Sequence, residues 1–194
     1  MRIGRNFNKD KLFFTSDTHF FHENVIKHCN RPFQTVKEMN EHIIQKWNEV
    51  VPKDATVFHL GDVSLTADPH ELEEVLRRLN GDKYLIMGNH ERDALGRDFI
   101  RYAWDGVFDI AEIIVKDKDA PKGSQHLVMC HYPMIEWNGS QRGSWQLFGH
   151  LHGEVGNKGI TKHPTTSLDV GVDKHNFTPL SYQQVKDIIN SNKK

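Results

Sequence analysis

The chain has 194 residues, 37% hydrophobic and 26% charged, enough for one compact domain with a sizeable core and short for two. Its 25 Lys and Arg face 26 Asp and Glu, a formal net charge of -1; this argues against a general nucleic-acid coat protein but leaves nucleotide substrates open, since bound metal ions bring positive charge of their own. Two cysteines, Cys29 and Cys130, make no disulfide framework, and neither a signal peptide nor a run of roughly 18 apolar residues for a membrane span is visible, so a reduced, cytoplasmic setting is expected.

Five short apolar runs, 12–15, 56–60, 84–87, 127–130 and 146–148, punctuate the chain. They are too short for helices, and most lack polar alternation, as strands buried on both faces do. After the first, His22 and Asn24 stand where a helix begins. A longer helix carries Val36, Met39, Ile43, Trp47 and Val50 on one face. After the second run, Asp68-Pro69-His70-Glu71 combines an N-cap, a proline at the first position and a Glu three residues past the cap. Leu72, Val75, Leu76 and Leu79 follow at helical spacing, and Gly81 ends the run. Segments 110–115 and 167–172 are further strand candidates, separated by loops 138–145 and 153–166. A last helix opens at 181–184 and carries Val185, Ile188 and Ile189. Strand and helix alternate first and strands dominate later, which predicts an α/β sandwich with sheets inside and helices outside.

Each apolar run is followed by side chains able to bind a metal: Asp17-Thr18-His19, Gly61-Asp62, Gly88-Asn89-His90, His131 and Gly149-His150-Leu151-His152. Ligands of open α/β sheets bind at the carboxyl ends of strands. In extended chain, Asp17 with His19 and His150 with His152 would each point the same way and clamp one ion. Carboxylate, amide and imidazole without thiolate suit Mn, Fe or Zn better than Ca.

These blocks resemble the calcineurin-like metallophosphoesterases, whose pattern is D-x-H, G-D, G-N-H-D/E, H and G-H-x-H in that order. The stretch from Asp17 to Phe33, with Arg31-Pro32-Phe33, is similar to a small bacterial and phage subgroup. The resemblance implies a four-layer α-β-β-α sandwich of one catalytic domain, 1–194, acting as a phosphoric ester hydrolase on a dinuclear metal centre. Asp17, His19, Asp62 and His152 would hold one divalent ion. Asp62, Asn89, His131 and His150 would hold the other, with Asp62 bridging. Manganese is the first expectation, with Fe, Zn or Ni as alternatives. Two such ions, roughly 3.5–4 Å apart, supply a bridging hydroxide for in-line attack at phosphorus. His90 would contact the phosphate and assist the leaving group. Glu91 stands where many members carry Asp, and either it or Asp93 could orient His90. The absence of G-D-x-x-D-R-G after Gly61 argues against a protein phosphatase.

Several further residues carry two readings each. His22, Asn24, Arg92 and Arg142 are candidates for substrate contact, set against helix capping or surface charge. His59 reads as a core histidine, Cys130 as a buried-strand thiol, and Arg31 as a structural residue packed beside Pro32. Asp169 and Asp173 could orient ligand histidines or simply end strands. Loops 138–145 and 153–166 are expected to rim the metals. The expected substrate is a small phosphodiester or phosphomonoester such as a nucleotide. A nuclease acting on DNA or RNA is disfavoured by the balanced charge. A non-catalytic scaffold is disfavoured because His90 and every ligand are present. Membrane partners are not expected, and oligomeric state is open.

Overall fold

The computed structural model describes residues 1–66, 68–94, 103–153 and 164–192, with the side chains of 92–94 excepted. Among these, nine strands form two sheets: β1 (Leu12–Thr15), β2 (Thr56–His59), β3 (Asp82–Ile86), β4 (Gly106–Phe108), β5 (Ile110–Lys116), β6 (Ser124–Cys130), β7 (Trp145–Phe148), β8 (Ser167–Asp169) and β9 (Leu180–Ser181). The first sheet has the order β4-β3-β2-β1-β9, and the second β5-β6-β7-β8. Strands β1 to β4 run parallel, with β9 antiparallel at the edge. In the second sheet β5 and β6 are antiparallel, while β6, β7 and β8 are parallel. Parallel neighbours bring their carboxyl ends to one rim.

The alternation within β1 shows how the layers arise. Leu12 and Phe14 face a core between the sheets, where they meet Phe58, Leu60, Ala111, Ile113, Leu127 and Leu147. Phe13 faces the opposite way, into a core with Met39, Ile43, Trp47, Val57, Leu72 and Leu85. That second core lies beneath three helices: α1 (Glu23–His28), α2 (Val36–Val50) and α3 (Pro69–Arg78). A strand buried on both sides has no polar alternation to show, as the sequence implied. Thr35 caps α2 by accepting from Glu38 N at 3.1 Å, and Glu38 reaches back to Gln34 N at 2.9 Å, a reciprocal arrangement close to a capping box. Asp68 caps α3 through His70 N at 2.9 Å.

Two further helices lie among the described residues, α4 (Asn89–Ala94) and α5 (Tyr182–Asn192). Tyr182, Val185 and Ile189 of α5 join the core between the sheets. The outer face of the second sheet, bearing Glu112, His126 and Gln146, is covered among the described residues by segment 132–144. Gln146 pins it by donating to Tyr132 O at 2.9 Å and accepting from Met134 N at 3.1 Å. Asn138 donates to Glu112 Oε2 at 2.9 Å. The expected strand over 167–172 ends at Asp169, and Val172–Lys174 forms a 3-10 turn. No described helix is long and apolar enough to cross a membrane.

Asp117, just past β5, ties the ends of the chain together. Its buried carboxylate accepts from Tyr182 Oη and Lys186 Nζ, each at 2.8 Å, and pairs with Lys9 Nζ at 3.5 Å. Burial opposes its charge, yet the hydrogen bonds from Lys186 and Tyr182 prevail and hold its pKa at about 2. A depressed carboxylate pKa stabilises the fold above the unfolded value, and that contribution disappears as pH falls through the folded value. Asp117→Asn should therefore lower the unfolding free energy of the metal-free protein at pH 7 by roughly 2 kcal/mol. In urea melts across pH, the gap to the parent protein should begin to close below about pH 4.

Candidate metal centre

The strand ends do not simply continue as extended chain. Asp17, His19, Asp62, His150 and His152 all adopt positive φ, between 49° and 70°. Left-handed backbone at non-glycine residues is uncommon and costly, and such residues cluster at functional sites. The turns are held by neighbours: Asp17 N and His19 N donate to Gly61 O and Asp62 O, each at 3.0 Å. His150 N donates to the Asp17 carboxylate at 3.0 Å. Gly149 is required at that crossing, because a Cβ there would lie 2.0 Å from Ser16 Oγ and 2.3 Å from Asp17 Oδ2.

These kinks decide which side chains meet. Ligand atoms of Asp17, His19 and His152 lie within 4.8 Å of one another, and so do those of Asp62, His131 and His150. Asp17 and His19 thus converge, but through left-handed turns. His150 and His152 do not clamp one ion: they turn to different clusters, because both have left the extended conformation on which that expectation rested. Asp62 stands between the clusters, its Oδ2 3.6 Å from His19 Nε2 and 3.5 Å from His131 Nε2. Asn89 Oδ1 is 3.2 Å from His131 Nε2. Donor atoms bound to one ion at 2.0–2.2 Å are roughly 3–3.6 Å apart, so these spacings fit a shared cation. His19 adds a second sign of fit: its Nε2 is buried without a hydrogen-bond partner, a state a metal ion would relieve. His90 lies at the mouth, 26% exposed, with Nε2 3.9 Å from Asp62 Oδ2.

The electrostatics follow from burial and crowding. Burial raises the Asp17 carboxyl to about 7 and pushes the His19 imidazole well below its usual value. Burial also works against charge on Asp62 and His131, yet their mutual attraction holds the Asp62 carboxyl well below the carboxylate range and raises the His131 imidazole. His152, likewise opposed by burial, is carried up to about 10 chiefly by its hydrogen bond to Asp173.

The sequence model of the calcineurin-like phosphoesterases matches residues 11–154. The chain belongs to this family. It is 31% identical over 185 residues to "Uncharacterized protein MJ1445" of Methanocaldococcus jannaschii, covering 94% of this chain and 93% of that one. It is 27% identical over 198 residues to the "Gene 66 protein" of Mycobacterium phage D29, covering 92% and 96%. Among solved structures it resembles the protein of unknown function AQ665 from Aquifex aeolicus, with TM-score 0.70, 22% identity and coverage of 91% and 98%. That likeness supports the two-sheet fold.

Several residues of this family member support the cluster from outside it. Arg31 is buried, donating to both Asp173 oxygens at 2.7 and 2.9 Å, to Asp17 O at 2.7 Å and to Thr18 O at 2.9 Å. It thereby holds the Asp17–His19 turn. Asp173 Oδ2 is 2.7 Å from His152 Nδ1, directing the other ring nitrogen away from it. Asp169 instead accepts from Gly153 N at 3.1 Å and Gly171 N at 2.8 Å. Glu91 does not orient His90: its buried carboxylate accepts from Asp62 N, Val63 N and Gly88 N at 2.6–2.9 Å, clamping the turns after β2 and β3. His59 is a buried core histidine bonded to Thr18 Oγ1 at 3.0 Å, its pKa lowered by burial to about 3.

The substrate-contact candidates separate. His22 joins the centre, with Nδ1 3.2 Å from His19 Nδ1 and its ring 5.7 Å from that of His90. Although it occupies the N-cap of α1, it makes no side-chain cap bond. Asn24 is exposed on α1. Arg142 is set at the far end of the second sheet, beside Lys122, His126 and Ser144. Because β6 and β7 are parallel, their connection must return to the amino ends, which carries 138–144 away from the metal ligands. The side chains of Arg92 and Asp93, and residues 154–163, lie outside the described residues. A cavity of about 940 Å³ also lies apart, lined in part by Arg2, Arg5, Lys9, Lys116 and Lys118 beside the start of β6. Seven residues of strand place it roughly 20 Å from His131. Its lysines lie beside β5, whose outer edge is already paired by the N-terminal segment, with Ile3 N donating to Glu112 O and Glu112 N donating to Met1 O, each at 2.9 Å.

Replacing Asp173 with Asn should lower the affinity of one metal equivalent by about 10–100-fold while leaving the other nearly unchanged, as read by chelator competition. Gly149→Ala should abolish tight binding of metal and reduce Tm, because its Cβ would also lie 2.7 Å from Ser16 Cβ, which no rotation of that side chain moves, and turning the Asp17 carboxylate aside would take it out of the cluster.

Proposed function

We propose that residues 1–194 form one catalytic domain that hydrolyses small phosphate esters at a dinuclear centre. Asp17, His19, Asp62 and His152 would hold one divalent ion, and Asp62, Asn89, His131 and His150 the other, with manganese the leading candidate and Fe, Zn or Ni as alternatives. Divalent ions there would neutralise phosphate oxygens and lower the pKa of a water nucleophile. The observation that carries this reading is the meeting of two His–Asp clusters at Asp62, with donor spacings of 3.2–3.6 Å, in a chain of the phosphoesterase family.

The protein's own groups divide the remaining work. His90 stands at the mouth, more exposed than the buried imidazoles, where it can donate a proton or hydrogen bond to the departing oxygen. His22 bonds the face of His19 turned away from Asp62 and so fixes which nitrogen faces the centre. The guanidinium of Arg31 is already saturated by Asp173, two carbonyls and Met39 Sδ. It has no donor to spare for the extra charge of a monoester, which favours diesters. Balanced charge likewise favours small substrates over long DNA, since nucleases draw affinity from many basic contacts.

The test is one screen of metal-depleted protein against nitrophenyl mono- and diesters, cyclic nucleotides and a short oligonucleotide, with Mn, Ni, Zn and Mg restored in turn. Metal-dependent cleavage with highest kcat/KM on small diesters is expected; preferred cleavage of the oligonucleotide would overturn the substrate claim. Elemental analysis should approach two metal equivalents. Asp62→Ala should lose both activity and tight metal binding. His90→Ala should lower turnover by about 10²–10⁴ with metal content intact; loss of a metal equivalent would make His90 a ligand instead.

A further inference from the structure

The residues after His131 read Tyr132-Pro133-Met134-Ile135, and none of these four apolar side chains is buried. Ile135 is 86% exposed and Tyr132 40%. A scattered apolar residue on a surface needs no explanation. Four in succession that start at a cluster of metal-capable side chains and run outward from it form an apolar patch of the kind that marks interaction sites. The Tyr132 ring stands edge-on to His131 and His150, with centroids 5.0 and 4.9 Å away. Its aromatic surface therefore begins one ring's width from the cluster of Asp62, His131 and His150.

The segment is also fixed in place. The fully buried side chain of Gln146 grips Tyr132 O and Met134 N, at 2.9 and 3.1 Å. Trp137 packs down onto the sheet, 7% exposed, and donates to Ser144 Oγ at 3.0 Å. With both ends anchored, Tyr132 and Ile135 project outward from a preorganised backbone, which reduces the ordering cost of binding.

We propose that Tyr132, flanked by Ile135, is the platform on which a nucleobase of the substrate stacks, making the substrate a nucleoside phosphodiester. This rests on the reading of the centre as a phosphodiester hydrolase. One aromatic ring and one branched side chain match a flat, rigid group. A lipid chain would need a long apolar trough, whereas here charged Glu136 and polar Asn138 follow within three residues, both exposed. Stacking on a ring tolerates any base, because every base presents a π-face.

The experiment compares two substrates with the same leaving group, thymidine 5′-(4-nitrophenyl phosphate) and methyl 4-nitrophenyl phosphate. It uses the manganese-loaded parent protein and the Tyr132→Ala, Tyr132→Phe and Ile135→Ser variants. The parent should favour the thymidine ester in kcat/KM by about tenfold or more, expressed chiefly in KM. Tyr132→Ala should bring that ratio close to one, Ile135→Ser should reduce it, and Tyr132→Phe should retain it. A parent ratio near one, or a ratio unchanged in Tyr132→Ala, would overturn the platform. Binding of thymidine 5′-monophosphate against methyl phosphate, by calorimetry on the same proteins, reads the platform without turnover. If neither ester is cleaved but the thymidine preference in binding is present and lost in Tyr132→Ala, the hydrolase reading fails and the platform stands. No preference in binding sinks the platform whatever the turnover.

Discussion

A carboxylate buried at Asp62 and faced by imidazoles from separate strands is expensive to build, because each charged group must leave water. Much of the surrounding structure serves to meet that cost. Glu91 fixes the backbone of the turns that present Asp62 and Asn89. Arg31 and Asp173 form a buried pair beneath Asp17 and His152, neutralising each other while each holds one part of the cluster. The His131 ring is bound from below by Leu60 O at 2.7 Å. These partners leave the side chains of the cluster little freedom, because each is held by backbone or side-chain hydrogen bonds from outside it.

Three of the supporting residues reach the centre across long sequence distances. Arg31 and Asp173 are 142 residues apart in the chain. Glu91 reaches back across 28 and 29 residues to the turn after β2. Their conformations are set by burial and hydrogen bonding that no local pattern encodes. The candidate ligands are legible in the sequence because each follows an apolar strand, and strand ends are where parallel sheets present chemistry. Alternation of Leu12, Phe13 and Phe14 between two cores likewise explains why β1 read as buried on both sides.

The parts that sequence reasoning misplaced have two physical causes, both non-local. It treated the chain beyond each strand as extended, and the left-handed turns at His150 and His152 send those side chains to different clusters. It assigned Arg142 and the 138–144 loop to the rim without knowing that β6 and β7 run parallel. Strand direction is a non-local property, and here it decides which end of the sheet a loop occupies. The short β4 and β9, of three and two residues, owe their existence to pairing with longer strands and carry no period of their own.

The hold of Gln146 on segment 132–144 has an evolutionary consequence. An amide on the outer face of β7 fixes the height of a surface strap through backbone atoms alone, so the side chains on that strap are free to vary. Relatives could exchange Ile135 for other groups without disturbing the side chains on the strands beneath. The chemistry would be inherited while recognition drifts, and one ancestral hydrolase could thereby supply a lineage of enzymes that share a mechanism and differ in diet.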